Sequence, residues 1–415
     1  MHVLVSGAGI AGPALAWFLA KTGAHVTVLE KSGSFRSQGQ NVDIDGGAVT
    51  VIKKMGLLDE VRRFNTTEAG TQFIDPKGRP FAFFPVGKDS SASPTSEFEI
   101  LRGDLAAIFY NATKDHPNVD YEFGTTVKKV VSNGDDAVKV ELSNEKVQEF
   151  DILVAADGQW SNVRKQCFPS EDVKVVDKNL YTIYWTVPRL PRDNDWWNIY
   201  NALGSRVISL RPDPYNTIRA AITKMPSTEA QKKMWLEASR SDRQTQVELL
   251  RREFSDAGWE AHRLLDSLDQ TDDLYFHPLQ QIKMSKWSNS RVVCIGDAAH
   301  APTPLTGMGT SLAVIGAYIL AGELSKLKEG EHPARALETY DSTFRPFVEK
   351  IQNLPFFVPA IAHPGTAWKR WLLQSLVWVI SKAVAIPWVA RIFDPKDDQG
   401  FPLPEYPGFD DRKTK

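Results

Sequence analysis

The residues Gly7-Ala8-Gly9-Ile10-Ala11-Gly12 place glycine at the first, third and sixth positions of a short stretch. They follow an apolar run, His2 to Ser6, and lead into Pro13 to Lys21, where Ala14, Leu15, Phe18 and Leu19 recur at helical spacing before Gly23. A strand feeding a helix through such a loop is suited to a pyrophosphate. Gly7 permits the tight turn, Gly9 lets backbone N–H groups approach the phosphates, and Gly12 lets helix and strand pack closely. The helix N-terminus adds partial positive charge, worth up to about 2 kcal/mol for a well-placed anion. A second strand, His25 to Glu30, ends on a carboxylate eighteen residues beyond Gly12, with Lys31 beside it as a further cofactor-side candidate. A carboxylate there accepts hydrogen bonds from ribose hydroxyls and repels a 2′-phosphate, which favours FAD or NAD over NADP. Taken alone, the stretch also has the form of a Gly-rich turn in an unrelated α/β domain.

Two further strands end on acids. Asp151 to Ala155 leads to Asp157-Gly158, with Ser161 and Arg164 following on a predicted helix. Arg291 to Ile295 leads to Gly296-Asp297-Ala298-Ala299-His300, then Pro304, Gly307, Gly309 and an apolar helix from Ser311 to Leu327. A buried strand delivering Asp297 to a loop suits binding of a hydroxylated chain. The Gly-rich loop aims backbone N–H groups and a helix N-terminus at a second point. On a flavin that point would be the N1–C2 carbonyl edge, where the reduced ring carries negative charge.

In order and spacing these three segments resemble those of the class A flavoprotein monooxygenases, the p-hydroxybenzoate hydroxylase-like family, as far as about Leu327. Gly39-Gln40-Asn41-Val42-Asp43-Ile44-Asp45-Gly46, followed by Lys54-Met55-Gly56-Leu57-Leu58, is similar to the branch containing tetracycline-inactivating monooxygenases and fungal polyketide hydroxylases. The resemblance implies bound FAD, reduced by NADH or NADPH as a transient partner. Oxygen then adds at flavin C4a, and the hydroperoxide hydroxylates an aromatic or polyketide-like small molecule, with the cofactor doing the hard step. Carried over, Glu30 holds the adenosine ribose, Arg102 contacts the flavin side, Asp297 binds the ribityl chain, and Gly307 and Gly309 approach the isoalloxazine. Asp157 supports cofactor and transient NAD(P)H contacts. Thr310-Ser311 stands where many members have Asn, and Gly316-Ala317-Tyr318 where many have an acid. A flavoprotein with structural or non-oxygenating FAD (a cyclase, reductase or halogenase) is the alternative, and the chain lacks the WxWxIP stretch of the halogenases.

The catalytic candidates are Gln40, Asp43, Tyr184 and Arg211, with Asp45 beside the first two. Tyr181, Tyr184, Trp185, Trp196, Trp197 and Tyr200 could sandwich a planar substrate or simply pack a core. Arg211 and Arg219 could meet a phenolate, although a solvated strand face is the expected setting. His300 is expected to be structural.

These residues need an α/β scaffold: a Rossmann-like FAD-binding domain with an inserted β-sheet substrate domain and a C-terminal helix. The 415 residues exceed one ordinary core. The expected division is 1–70, 97–179 and 280–355 for a discontinuous FAD-binding domain, 71–96 and 180–279 for the substrate domain, and 356–415 for the C-terminal helix and tail. Within it we expect helices over 49–64, 101–114 and 358–393, a hairpin over 121–142 turning at Asn133-Gly134, strands over 180–222 and helices over 228–268. A surface loop is expected over 85–94 and a polar tail over 394–415. A net charge of −2 offers no basic face for nucleic acid. Cys167 and Cys294 form no CxxC pair, and the eight histidines lack metal-ligand spacing. There is no signal peptide pattern and no apolar run of spanning length, so a reducing, cytoplasmic setting is expected. The apolar stretch from Trp368 to Val379, with Lys369, Arg370 and Lys382 nearby, reads first as a lid or strut packed across the two domains. A subunit interface and an interfacial membrane attachment are the alternatives.

Overall fold

The computed structural model describes residues 1–35, 39–66, 68–86, 98–355, 357–384 and 401–409. Two sheets dominate it. The first has six strands in the order Ser288–Asn289, Val292–Cys294, Ile152–Ala155, His2–Ser6, His25–Glu30 and Val119–Phe123. All but the two-residue edge strand run parallel to their neighbours. Val3, Leu4, Val5, Val26, Val28, Leu153 and Val293 are fully buried, as strands covered by helices on both faces must be. The helices Ala11–Lys21 and Gly309–Leu324 pack against each other here. Gly309–Leu324 is apolar all round and buried over nearly its whole length. The chain leaves His2–Ser6 in one direction toward His25–Glu30 and later returns on its other side as Ile152–Ala155. The crevice beyond the carboxyl ends of those strands is where open α/β sheets bind ligands.

The second sheet has seven strands in the order Tyr275–Met284, Val173–Pro188, Thr217–Lys224, Arg206–Pro212, Trp197–Ala202, Gly70–Ile74 and Pro80–Pro85. Its pairings are antiparallel except between Trp197–Ala202 and Gly70–Ile74. Alternation along Val173–Pro188 divides its side chains cleanly. Tyr181, Ile183, Trp185 and Val187 join a core closed by the helices Glu229–Ala238, Arg243–Phe254 and Ala261–Ser267. The opposite face carries Thr182, Tyr184 and Thr186. The strands Val173–Pro188 and Tyr275–Met284 continue through 179/180 and 279/280, with a register shift between Asp177 and Tyr181 where Asn179 has φ +52°. A small ribbon, Asn41–Asp43 against Glu99–Leu101, stands apart from both sheets.

Several expectations are corrected. Helix 49–64 is two helices, Gly47–Lys54 and Leu58–Arg63, parted at Gly56, whose φ of +73° suits glycine. Val119–Phe123 is an edge strand of the parallel sheet, and the hairpin is confined to Val127–Asn133 and Val138–Leu142. The helix expected from 358 is Val358–Ala362 and then Ala367–Val384, with Pro364-Gly365 between them. The rest of that expectation, 385–393, lies outside the described residues, as does most of the loop 85–94.

The tail is not simply polar. Tyr406 is 2% exposed, its ring occupies the space a Cβ on Gly322 would need, and its hydroxyl donates to Glu323 Oε1 at 2.8 Å. Tyr318 donates to the Pro404 carbonyl at 2.7 Å. The departure at Gly316-Ala317-Tyr318 is therefore accounted for by packing: Tyr318 docks the tail, and Gly316 lies against Tyr340 and Phe344.

Candidate active site

The glycine loop turns where the sequence placed it. Gly7 has φ +114°, and a Cβ there would stand 2.5 Å from the Ala156 carbonyl oxygen. A Cβ on Gly12 would run into the Gly7 carbonyl. The fingerprint loop and the Asp157-Gly158 turn are thus in contact across the switch point. Glu30 is fixed by two backbone donors, Ala8 N–H to Oε2 at 3.1 Å and Ser32 N–H to Oε1 at 2.9 Å. Its remaining lone pairs are available to hydroxyls. Lys31 is exposed beside it.

Arg102 opens the helix Arg102–Asn111, and its backbone N–H donates to the Gln40 carbonyl at 2.9 Å. Its guanidinium lies at the fingerprint: a Cβ on Gly9 would stand 3.3 Å from Nη2. Asp297 opens the short helix Asp297–His300 and faces the cleft. Desolvation raises its carboxyl above the ordinary range, and Arg102 pulls it back. Pro304 starts a 3₁₀ turn that Gly307 closes at φ +67°, and Gly309 then begins the long helix. At the family's usual Asn position, the Ser311 hydroxyl accepts from the Asp45 backbone N–H at 3.0 Å. Asp157 is divided in its work. Oδ2 accepts from Asn162 N–H at 2.9 Å, whereas Oδ1 is buried without a partner.

The residues present suit FAD. Besides the glycine cradle, both polar atoms of the Asn41 amide and the Thr303 hydroxyl are buried without hydrogen-bond partners. Buried polar groups are ordinarily satisfied, so these atoms mark places for a polar ligand. Glu30, Arg102 and Asp297 supply charged hydrogen-bonding groups at separate points of the cleft.

The catalytic candidates divide into two places. Gln40 lies on the Arg102 side. Asp43, Tyr184 and Arg211 come together on the other. Arg211 is not on a solvated face: it is half-buried, its side chain 14% exposed, with Nε 2.7 Å from Glu68 Oε1, Nη2 3.0 Å from Glu68 Oε2, and a further ion pair to Glu99. Its guanidinium lies 4.1 Å above the Trp197 ring. Arg219 is likewise half-buried, held by Asp213 at 3.0 Å and Asp273 at 3.3 Å. Asp43 stands opposite Glu99 in the ribbon. One guanidinium cannot neutralise two buried carboxylates, so retention of a proton makes the group neutral. Burial accordingly pushes Glu99 up to about 8, against the pull of Arg211 and with the push of Glu68. Burial and Asp43 together raise Asp45 to about 6.

Register across the sheet brings Tyr275, Tyr184, Ala221, Ser209 and Ile199 into one row on the face bearing Arg211. Burial raises the Tyr184 phenol to about 12, with Thr182 and Arg211 pulling it down. Tyr275 belongs to the same cleft: burial raises its phenol, Arg102 lowers it and Asp297 raises it. The other aromatic candidates separate. Tyr181, Trp185 and Tyr200 are in the core behind the sheet. Trp196 packs on Phe83, ring to ring at 5.6 Å, and Trp197 lies under Arg211. His300 lies among Trp287 and Phe344, and burial pushes it down to about 3, which keeps it neutral.

Sequence reasoning missed Glu68, Glu99, Asn41 and Tyr275. Asn41 lies within the Gly39–Gly46 stretch without being singled out, and no local motif marks the other three, which meet the site only through the ribbon and the strand pairing. Arg164, noted beside the Asp-Gly turn, ties that turn to the Asp297 helix by donating to the Gln159 and Ala298 carbonyls at 2.6 and 2.7 Å.

A crevice at a switch point, lined by a dinucleotide fingerprint and two acid-bearing turns, defines an FAD-binding oxidoreductase. Residues 1–354 match the family of FAD binding domains, and the chain belongs to it. It is 34% identical to the FAD-dependent monooxygenase asL4 of Sarocladium schorii over 98% of both chains. It is 35% identical to the monooxygenase CTB7 of Cercospora beticola over 92% of both. Among solved structures, tetracycline destructase Tet(55) superposes with a TM-score of 0.77 at 29% identity, covering 97% of this chain and 98% of that one. The chain is an FAD-dependent monooxygenase of the class A type.

Proposed function

We propose that this monooxygenase uses NADH or NADPH and O2 to hydroxylate an aromatic or polyketide-like small molecule held against the row Tyr275–Tyr184–Ala221–Ser209–Ile199. The observation that carries this reading is that row itself. It pairs two phenols with small and apolar side chains on the one sheet face that the helical core leaves uncovered. Bound and reduced, FAD supplies the activation of O2 and the transfer of one oxygen atom.

The chain's own residues supply the rest. Glu30 accepts from the adenosine ribose, with Lys31 at the same end. Gly7, Gly9 and Gly12 admit the pyrophosphate, and Asp297 accepts from the ribityl hydroxyls. Arg102, Pro304, Gly307 and Gly309 border the isoalloxazine, and Asp157 Oδ1 adds a cofactor contact. Ala221 and Ile199 exclude water from the reacting face. Tyr184, neutral at physiological pH, donates a hydrogen bond to a substrate oxygen. Arg211, with Asp43 and the protonated Glu99 beside it, orients that oxygen by hydrogen bonding. In this reading the FAD-binding part is assembled from 1–70, 97–179 and 280–355, and the substrate part from 71–96 and 180–279.

The test is turnover of candidate phenolic polyketides by the flavin-loaded protein under labelled O2. The expected result is substrate-stimulated nucleotide oxidation, with one labelled oxygen atom per product. A yellow protein that consumes neither nucleotide nor oxygen with such compounds would defeat the reading.

A further inference from the structure

The helix Ala367–Val384 is turned the wrong way round for a strut. Trp368, Trp371 and Trp378 are 63%, 68% and 48% exposed, and Leu372, Leu376 and Val379 are each at least half exposed. Ser381 is the one buried residue of this helix. At 100° per residue the six apolar side chains occupy an arc of about 160°. Gln374 and Ser381 lie outside that arc, on the protein side. An apolar stripe normally faces the core. Here the strand Pro80–Pro85 packs against this helix, and the indoles face outward.

Charge selects what covers this face. The helix carries Lys369, Arg370 and Lys382 and no Asp or Glu. Lys382 falls within the apolar arc and Lys369 at its edge. In a symmetric pairing with a second copy, parallel or antiparallel, these lysines would meet lysines with no acid on either helix to answer them. Anionic headgroups answer them directly, and tryptophan with basic neighbours suits the boundary between headgroups and acyl chains. Among the described residues no helix is long and apolar enough to cross a membrane. A helix of this kind lies in the plane of the interface.

We propose that Ala367–Val384 docks the enzyme on an anionic lipid surface, lying in plane with Trp368, Trp371 and Trp378 inserted. The inference goes beyond the oxygenation chemistry and stands whatever the substrate is.

The test is co-sedimentation of the full-length, flavin-loaded protein with vesicles of phosphatidylcholine alone, or of equal parts phosphatidylcholine and phosphatidylserine. We expect the mixed vesicles to bind about tenfold or more tightly, with a blue shift of tryptophan emission and weakening by salt. The variant Lys369→Glu/Lys382→Glu should lose the preference for phosphatidylserine. The variant Trp368→Ser/Trp371→Ser/Trp378→Ser should lose binding to both vesicles while keeping its flavin spectrum. Wild-type protein that sediments with neither vesicle overturns the proposal. So does a dimer in sedimentation velocity that the tryptophan variant dissociates while vesicle binding is unchanged.

Discussion

The two walls of the cleft are built by different means. On the FAD-binding side the functional groups sit within three residues of a strand end: Gly7 after Ser6, Glu30 at the end of its strand, Asp157 two residues after Ala155, Asp297 three after Cys294. On the opposite side no motif within one segment makes the site. Tyr275, Tyr184, Ala221, Ser209 and Ile199 come from five strands and meet only through register. Arg211 depends on Glu68 and Glu99, which are distant in sequence. The first wall is a set of local motifs, whereas the second is a product of the whole sheet. A local motif can fail without unfolding its surroundings, but a group buried by register cannot.

The sharpest way to break this contrast is to remove a charge from each wall. Arg211→Met leaves Glu68 and Glu99 buried without their cation, and loss of one partner from a buried ion pair costs about 3–5 kcal/mol. Urea unfolding should show that loss, while the FAD dissociation constant of the folded protein stays within about twofold. A variant of unchanged stability would mean that the buried carboxylates do not depend on Arg211. Asp297→Ala should do the reverse. Removing a charged acceptor costs about 1.5–3 kcal/mol of FAD binding, roughly a tenfold to hundredfold rise in dissociation constant, with little change in apoprotein stability. Full flavin occupancy with unchanged affinity would contradict the role given to Asp297. Glu30→Ala should weaken FAD by about one charged hydrogen bond, near tenfold, because its carboxylate is shared with the Ala8 and Ser32 backbone donors. An unaltered dissociation constant would count against the ribose contact.

The same contrast explains what could be read before the structure was seen. The fingerprint, the Asp157 turn and the Asp297 turn were legible because glycine spacing and apolar runs are local signals. Four strands of the six-stranded sheet followed from them; Ser288–Asn289 was not foreseen, and Val119–Phe123 was read as part of a hairpin. The fate of the aromatics was not legible. Tyr184 and Trp185 are neighbours in sequence, yet one faces the cleft and the other packs behind the sheet. Alternation says that they differ but not which is which, and that choice depends on where the three helices lie. Arg211 read as exposed because charged strand residues usually are. Its partners Glu68 and Glu99 carry no spacing that points to it. The outward apolar face of Ala367–Val384 was visible as composition, but its direction was not.

The finest test of the second wall is its proton. Glu99 is held at about 8 in the folded protein, against an ordinary value of 4.5. Between those two values the folded state keeps a proton that the unfolded state gives up. Glu99 therefore contributes stability that is fully present below about pH 4.5 and is lost as pH rises through about 8. Glu99→Gln has no proton to lose. The wild-type protein should thus fall in stability relative to this variant across that window, with a slope of at most about 1.4 kcal/mol per pH unit, and run parallel to it above. Comparing the two proteins cancels the similar contribution from Asp45, which is raised to about 6. Urea unfolding at intervals from pH 5 to 9 measures the difference. Curves that stay parallel throughout would mean that Glu99 is ionised at neutral pH and that Arg211 alone balances both carboxylates. The proton-sharing group on the substrate wall would then be lost, while the FAD wall, built from separate parts, would stand unchanged.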